Sequence, residues 1–196
     1  MTRRRELLLA GATLALPVRA ASDGVMEQAL RDGLAAAGGV VMFRHALAPG
    51  TFDPPGFRLG DCATQRNLND EGRQQARQIG AWFSARRLRP TRVRSSPWCR
   101  CLETARLAFG DRVDSWGALG SPRAGSNEAN SQALAQMRAA LSTVVKQRAG
   151  FEAWVTHMFV FNALLGEGAG SGDAVLLGLN EVGAPRVIVR LTGLAA

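Results

Sequence analysis

The segment Gly38-Gly39-Val40-Val41-Met42-Phe43-Arg44-His45 decides how this chain is read. Two glycines precede four consecutive apolar residues, and Arg-His closes them. That is the length and composition of a buried strand that opens into a loop. A second apolar run, Ala153-Trp154-Val155-Thr156-His157, ends on the other of the chain's two histidines. In open α/β sheets, ligands bind beyond the carboxyl ends of the strands. Both histidines are therefore expected in one pocket, although they lie far apart in sequence. Arg44 makes that pocket a phosphate candidate, because guanidinium pairs bidentately with phosphate oxygens.

Outward from these two runs, strand-like and helix-like segments alternate, which predicts a layered α/β domain. Residues 24–37 read as a short helix, residues 40–43 as the first strand and residues 47–65 as a long loop rich in Gly and Pro. Asn69 is a good N-cap, and Asp70 and Glu71 load the next helix's first turn with negative charge. Ala76, Ile79, Gly80 and Phe83 form one face of that helix, and Pro90 turns the chain into a strand at Val93. Pro97 reads as the first residue of a helix that Gly110 ends, with Leu102, Ala105 and Ala108 in its buried stripe. Residues 111–130 read as irregular and residues 131–147 as a helix. Phe159 to Leu165 is a short helix, and residues 174–179 and 186–191 are strands. The last strand sets Val187, Val189 and Leu191 opposite Arg186, Ile188 and Arg190.

The N-terminus reads as an export signal over residues 1–20. Arg3, Arg4 and Arg5 form a basic start, Leu7 to Leu16 is mostly apolar, and Val18 and Ala20 fit a cleavage site after Ala20. Arg4 to Leu8 is similar to a twin-arginine signal, and the apolar stretch is too short to span a bilayer. Residues 21–196 suffice for one domain with a full core. Losing the signal would reduce the formal charge from +8 to about +5, an excess that suits anionic substrates or an anionic envelope surface. Nucleic acid is a poor partner. The densest basic stretch, Arg86, Arg87, Arg89, Arg92 and Arg94, has no interleaved aromatic residue and reads as a solvated helix end and turn. An oxidising compartment permits a bridge from Cys62 to Cys99 or Cys101, with one thiol left free. Three thiols with two otherwise engaged histidines make a poor zinc set.

The chemistry these residues permit is phosphoryl transfer. A neutral imidazole is a competent nucleophile at neutral pH, and neighbouring arginines keep it neutral. His45 beside Arg44 meets that description. Arg100 lies in the first turn of the helix expected from Pro97, where free N–H groups favour anions. His157 repeats the arrangement ahead of the Phe159 helix. Arg66 and Arg73 read as surface or capping charges, and Trp82, Trp116 and Trp154 as core. Trp98 is either core or cleft wall. Phe52, Pro54, Pro55 and Phe57 either cover the core or form a substrate lid.

Four blocks, in order, resemble the histidine phosphatase superfamily, the phosphoglycerate-mutase-like fold. Arg44-His45-Ala46 resembles its Arg-His-Gly signature with Ala in the Gly place. Arg66-Asn67-Leu68 leading into Gly72-Arg73-Gln74-Gln75-Ala76 resembles its second block. Ser95-Ser96-Pro97 through Arg100 to Thr104-Ala105 resembles the third, and Val155-Thr156-His157 the late Thr-His motif. Gly172-Asp173-Ala174-Val175 is similar to a Gly-Glu-x-Val stretch near the family's end. The resemblance implies a three-layer α/β/α sandwich with a mostly parallel central sheet. It implies His45 as phosphoryl acceptor, Arg44, Arg100 and His157 as phosphate ligands, and no metal or organic cofactor.

Two features depart from the family pattern. The Asn about six residues after the nucleophile is absent, with Thr51 nearby. The general acid is not evident: Glu128 is favoured, with Asp173 and Asp53 as rivals. The leading expectation is an exported, metal-independent phosphomonoester phosphatase acting on a small phosphorylated substrate, such as an envelope sugar phosphate, in the periplasm. The other is a non-catalytic phosphate- or phosphosugar-binding module without a competent acid. A phosphoglycerate mutase fits poorly with export and a small domain.

Overall fold

The computed structural model describes residues 18–194. The signal expected over residues 1–20 lies largely outside them. The described strands are β1 (Gly39–Arg44), β2 (Arg92–Ser95), β3 (Asp114–Ser115), β4 (Phe151–Thr156), β5 (Ala174–Leu179) and β6 (Pro185–Leu191). The helices are α1 (Val18–Ala37), α2 (Asp70–Ala85), α3 (Cys99–Phe109), α4 (Asn127–Gln147) and α5 (Met158–Leu165). One six-stranded sheet runs in the order β3-β2-β4-β1-β5-β6. The pairs β3–β2, β2–β4 and β4–β1 are parallel, whereas β5 is antiparallel to both its neighbours.

Side-chain alternation along the strands divides the core into two faces. Val41, Phe43, Ala153 and Val155 pack with Leu30 of α1, Phe83 of α2 and Ala105 of α3. Val40, Met42 and Trp154 point the other way, onto Met137 and Leu141 of α4 and Phe161 of α5. The result is the expected α/β/α sandwich. Both faces of β1 and β4 are buried, so these strands read as continuous apolar runs. Among the described residues, no helix is long and apolar enough to cross a membrane.

The β1–β4 pairing brings the histidines together. Arg44 lies opposite Thr156 in the parallel register, so the chain leaves both strands at the same edge. The His45 backbone N–H then donates to the Thr156 carbonyl at 2.9 Å.

The second sequence block holds the loop that follows His45. Asn69 caps α2 by accepting from the Gly72 N–H at 2.8 Å. A Cβ on Gly72 would stand 1.9 Å from the Leu47 carbonyl oxygen, so only glycine permits this approach. Gln75 accepts from the Leu47 N–H and donates to the Ser171 carbonyl, both at 2.8 Å. Ala76 is fully buried beside Ala46 and Leu68. Ala46 itself donates its N–H to Thr104 Oγ1 at 3.0 Å, which ties the loop to α3.

Several expectations are corrected. Pro97 precedes the third helix instead of beginning it: α3 starts at Cys99 with Trp98 as an extended N-cap. The cause is that Ser96 still belongs to the sheet edge, donating its N–H to the Val155 carbonyl. The 111–130 stretch contains the short strand β3 and a 3-10 turn at Gly117–Leu119, and α4 begins before residue 131. The alternation expected in β6 is broken by a bulge opposite Leu176/Leu177. Ile188 and Val189 consequently both pack on the α1 side, while Val187 packs on the other. Cys62 pairs with Cys99, and the thiol left free is the buried Cys101.

The Gly72→Ala variant should lose about 2 kcal/mol or more of unfolding free energy, because a backbone oxygen must move to admit the methyl group. Urea denaturation measures it, and a loss below about 0.5 kcal/mol would show that the Leu47–Gly72 approach does not constrain the fold.

Candidate active site

A cleft of about 1060 Å³ opens at the carboxyl end of β1 and β4, and its wall includes Arg44, Asp53, Arg66, Arg100 and His157. Each basic group arrives from a different element. Arg44 ends β1, Arg100 sits in the first turn of α3, His157 is the N-cap of α5, and Arg66 follows the long loop. Arg66 was read from sequence as a surface charge, and the structure places it in the cleft instead. Its position in the Arg66-Asn67-Leu68 block is the signal that could have found it. Arg73 does lie outside the cleft, bridging Asp70 and Glu103.

His45 is only 2 % exposed and is not itself part of the cleft wall, unlike its neighbours Arg44 and His157. Its ring packs edge-on against His157 with centroids 5.6 Å apart. His45 Nδ1 lies 2.7 Å from the Ala46 carbonyl, which can only accept, so Nδ1 carries the proton. Nε2 is left with its lone pair. Burial, followed by the charges of Arg100, Arg66 and Arg44, pushes the His45 pKa down to about 3. The imidazole is therefore neutral and nucleophilic throughout the ordinary pH range.

His157 is fixed on both nitrogens. Arg100 Nη2 can only donate, so His157 Nδ1 accepts at 3.2 Å. In the neutral ring the remaining proton is on Nε2 and is donated to Ser96 Oγ at 2.8 Å. Burial and the Arg100 charge hold the His157 pKa well below its ordinary value. The free thiol of Cys101 lies 3.5 Å from His157 Nε2, and burial pushes it up to about 12. It is thus a neutral packing group.

Three guanidinium groups converge here with little counter-charge. Arg44 donates to the Ala169 carbonyl at 2.8 Å, and Arg66 donates to the carbonyls of Ala48 and Gly50. Arg100 Nη1 pairs with Asp53 Oδ1 at 2.8 Å. Burial is the main cause that lowers the pKa of both Arg44 and Arg66, and the charge of Arg100 adds to it. The Nε groups of Arg44, Arg66 and Arg100 are all buried without a protein acceptor. A tetrahedral oxyanion supplies the acceptors and negative charge that such a set lacks.

The carboxylates also sort themselves. Among the described residues, Asp53 is the only one on the cleft wall. It accepts from the Arg66 N–H at 3.0 Å and from Trp98 Nε1 at 3.1 Å. Glu128, the acid favoured from sequence, is exposed in the first turn of α4 and accepts from Gln132 outside the cleft. Helical phase explains this, since Asn127 and Asn130 line the cleft and residue 128 points away. Asp173 accepts from the Gly170 N–H at 3.0 Å and lines a separate, smaller pocket. Trp98 is both buried and part of the cleft wall.

The histidine phosphatase superfamily (branch 1) family model matches residues 58–116, which span the second and third sequence blocks. No curated protein matches the chain by sequence. Solved structures with this fold include the protein histidine phosphatase SixA bound to tungstate, at 17% identity and TM-score 0.54, covering 78% of this chain and 95% of that one. Phosphoserine phosphatase from Entamoeba histolytica, bound to 3-phosphoglyceric acid, aligns at 15% identity and TM-score 0.58, covering 81% and 100%. A mycobacterial glucosyl-3-phosphoglycerate phosphatase with inorganic phosphate aligns at 16% identity and TM-score 0.56, covering 82% and 100%. At these identities the likeness establishes the fold.

The lowered His45 pKa has a consequence for stability. Below the unfolded value of 6.5 the unfolded chain binds a proton that the folded site refuses until about pH 3. Stability conferred at this position is therefore full above pH 6.5 and declines as the pH falls toward 3. Chemical denaturation at pH 7 and pH 4.5 should show the wild type losing more stability than His45→Asn. An equal loss in both proteins would contradict a neutral buried imidazole.

Proposed function

We propose that this member of the histidine phosphatase superfamily is a metal-independent phosphomonoester phosphatase that works through a phosphohistidine at His45. The observation that carries the reading is a neutral His45, with Nδ1 tied to Ala46 and Nε2 lone-paired, beside three guanidinium groups whose Nε atoms are buried without an acceptor. Arg44, Arg66 and Arg100 bind the equatorial oxygens, where charge is stabilised as the bonds to phosphorus change. His157 joins them once its Nε2–H turns from Ser96 to the phosphate.

Nε2 of His45 attacks phosphorus, the P–O bond to the leaving group breaks, and the leaving oxygen takes a proton. Asp53 is the carboxyl group placed to give it. Before binding, Asp53 neutralises Arg100. A dianionic phosphate displaces it from Arg100 and leaves it beside the leaving oxygen. Water, activated by the resulting carboxylate, then attacks the phosphohistidine and releases phosphate.

We place this activity in the cell envelope, with an export signal over residues 1–20. The basic and apolar N-terminal pattern supports that reading, as does the Cys62–Cys99 bridge, since disulfides persist in oxidising compartments. The second reading, a phosphate-holding module, draws on the near-complete burial of His45.

Hydrolysis of p-nitrophenyl phosphate without added metal separates the two. The protein should turn it over, His45→Ala should lose at least about a thousandfold, and rapid acid-free quenching should trap a phosphohistidine. Phosphate binding without turnover would establish the module instead. For the acid, Asp53→Asn should slow phenyl or alkyl phosphates roughly a hundredfold and p-nitrophenyl phosphate far less, because only poor leaving groups need the proton. The same variant should bind inorganic phosphate more tightly. An equal rate loss with good and poor leaving groups would remove Asp53 from the acid role.

A further inference from the structure

The cleft is much larger than a phosphate needs. At about 1060 Å³ it has the capacity of sites that take drug-sized ligands. Beyond the phosphate-binding groups its wall is mainly apolar: Phe52, Phe57, Pro122, Met158, Phe159 and Ala163. Phe52 is 76% exposed, an unusual setting for so large an apolar side chain. Its ring is nearly parallel to Phe159, at an interplanar angle of 11° and a centroid separation of 6.3 Å.

Chain connectivity fixes where this pair stands. Phe52 adjoins Asp53, which is bonded to Arg100, and Phe159 is two residues beyond His157. The two rings therefore stand at the mouth of the phosphate site, where the leaving group of a bound ester must project. Thr51, Ser121, Asn127, Asn130 and Asn162 also line the cleft, and one of these polar groups is already engaged. Asn130 is spent on the backbone of Arg123, accepting from its N–H at 3.1 Å and donating to its carbonyl at 2.8 Å. Arg123 itself lies over the Trp98 ring at 5.7 Å.

We propose that this is a leaving-group subsite for a flat apolar ring, and that the preferred substrates are phosphomonoesters of aromatic or similarly planar alcohols, with Phe52 and Phe159 as specificity determinants. This rests on the phosphatase reading for its chemistry, but not for its binding. Small leaving groups would leave most of the cleft, and both phenyl faces, unfilled. A ring laid on Phe52 removes apolar surface from water on both partners.

Non-hydrolysable phosphonates test the subsite independently of turnover. Titration calorimetry on the full protein would compare 2-phenylethylphosphonate with ethylphosphonate. The aromatic ligand should bind roughly tenfold to a hundredfold more tightly. In Phe52→Ala, and separately in Phe159→Ala, that ratio should fall toward about threefold or less. Equal affinities in the wild type would overturn the proposal, as would ratios unchanged in both variants or failure of both ligands to bind. Selective binding without hydrolysis of any ester would leave the subsite standing and remove the phosphatase reading. Hydrolysis without aromatic selectivity would do the reverse.

Discussion

The mutual repulsion of Arg44, Arg66 and Arg100 is the constraint around which this site is organised. Three guanidinium groups in one partly buried pocket oppose one another; among the described residues Asp53 is the only carboxylate on the wall, and the charge of Asp173 offsets Arg44 from outside it. Backbone carbonyls do the rest. Ala169 holds Arg44, Ala48 and Gly50 hold Arg66, and the Arg66 carbonyl receives a second bond from Arg100. These acceptors belong to loops, so the charge cluster requires the loops to be rigid. Gly72 and Gln75 clamp the chain after His45, and the Cys62–Cys99 bridge ties the long loop to the start of α3. Much of the family's sequence pattern can be explained this way, as support for an arrangement of charges that would otherwise separate.

The same cluster explains the histidines. Burial alone disfavours an imidazolium, and three nearby positive charges disfavour it further. No basic partner is needed to keep His45 neutral. A carbonyl on Nδ1 is enough to choose the tautomer. His157 is held the same way, except that its acceptor nitrogen is used by Arg100 and its proton by Ser96. The two rings thus have different work to do. One keeps a free lone pair, and the other holds a donor that has to be redirected before it can meet an oxyanion.

What the sequence disclosed follows from which interactions are local. The strands that carry the histidines were readable because both faces of β1 and β4 are buried, which leaves the apolar runs Val40 to Phe43 and Ala153 to Val155. The Asn69 cap was readable because capping spans only three residues. The places of Arg66 and Asp53 in the cleft were not, since they depend on the path of the loop between residues 47 and 65. That path is set by bonds to Trp98, Arg100 and Cys99, far along the chain. Glu128 lies outside the cleft for a related reason: α4 starts at Asn127, which sets its phase and turns residue 128 outward. In β6, a single bulged residue defeats an alternation that the sequence states clearly.

Asp53 joins these threads. A site built only of arginines would bind phosphate and hold it, product as well as substrate. A carboxylate that pairs with Arg100 in the free protein competes with every anion that enters, which weakens binding uniformly and helps release the product. It also ensures that the group displaced by the substrate is left beside the reacting phosphate. In the proposed mechanism, displacement from Arg100 and proton delivery are linked through this one side chain. The proposed acid thus lies on the long loop that lines the cleft, whereas Glu128 lies on α4 outside it. The proposed leaving-group subsite adjoins the proposed acid, because Phe52 precedes Asp53 in the chain.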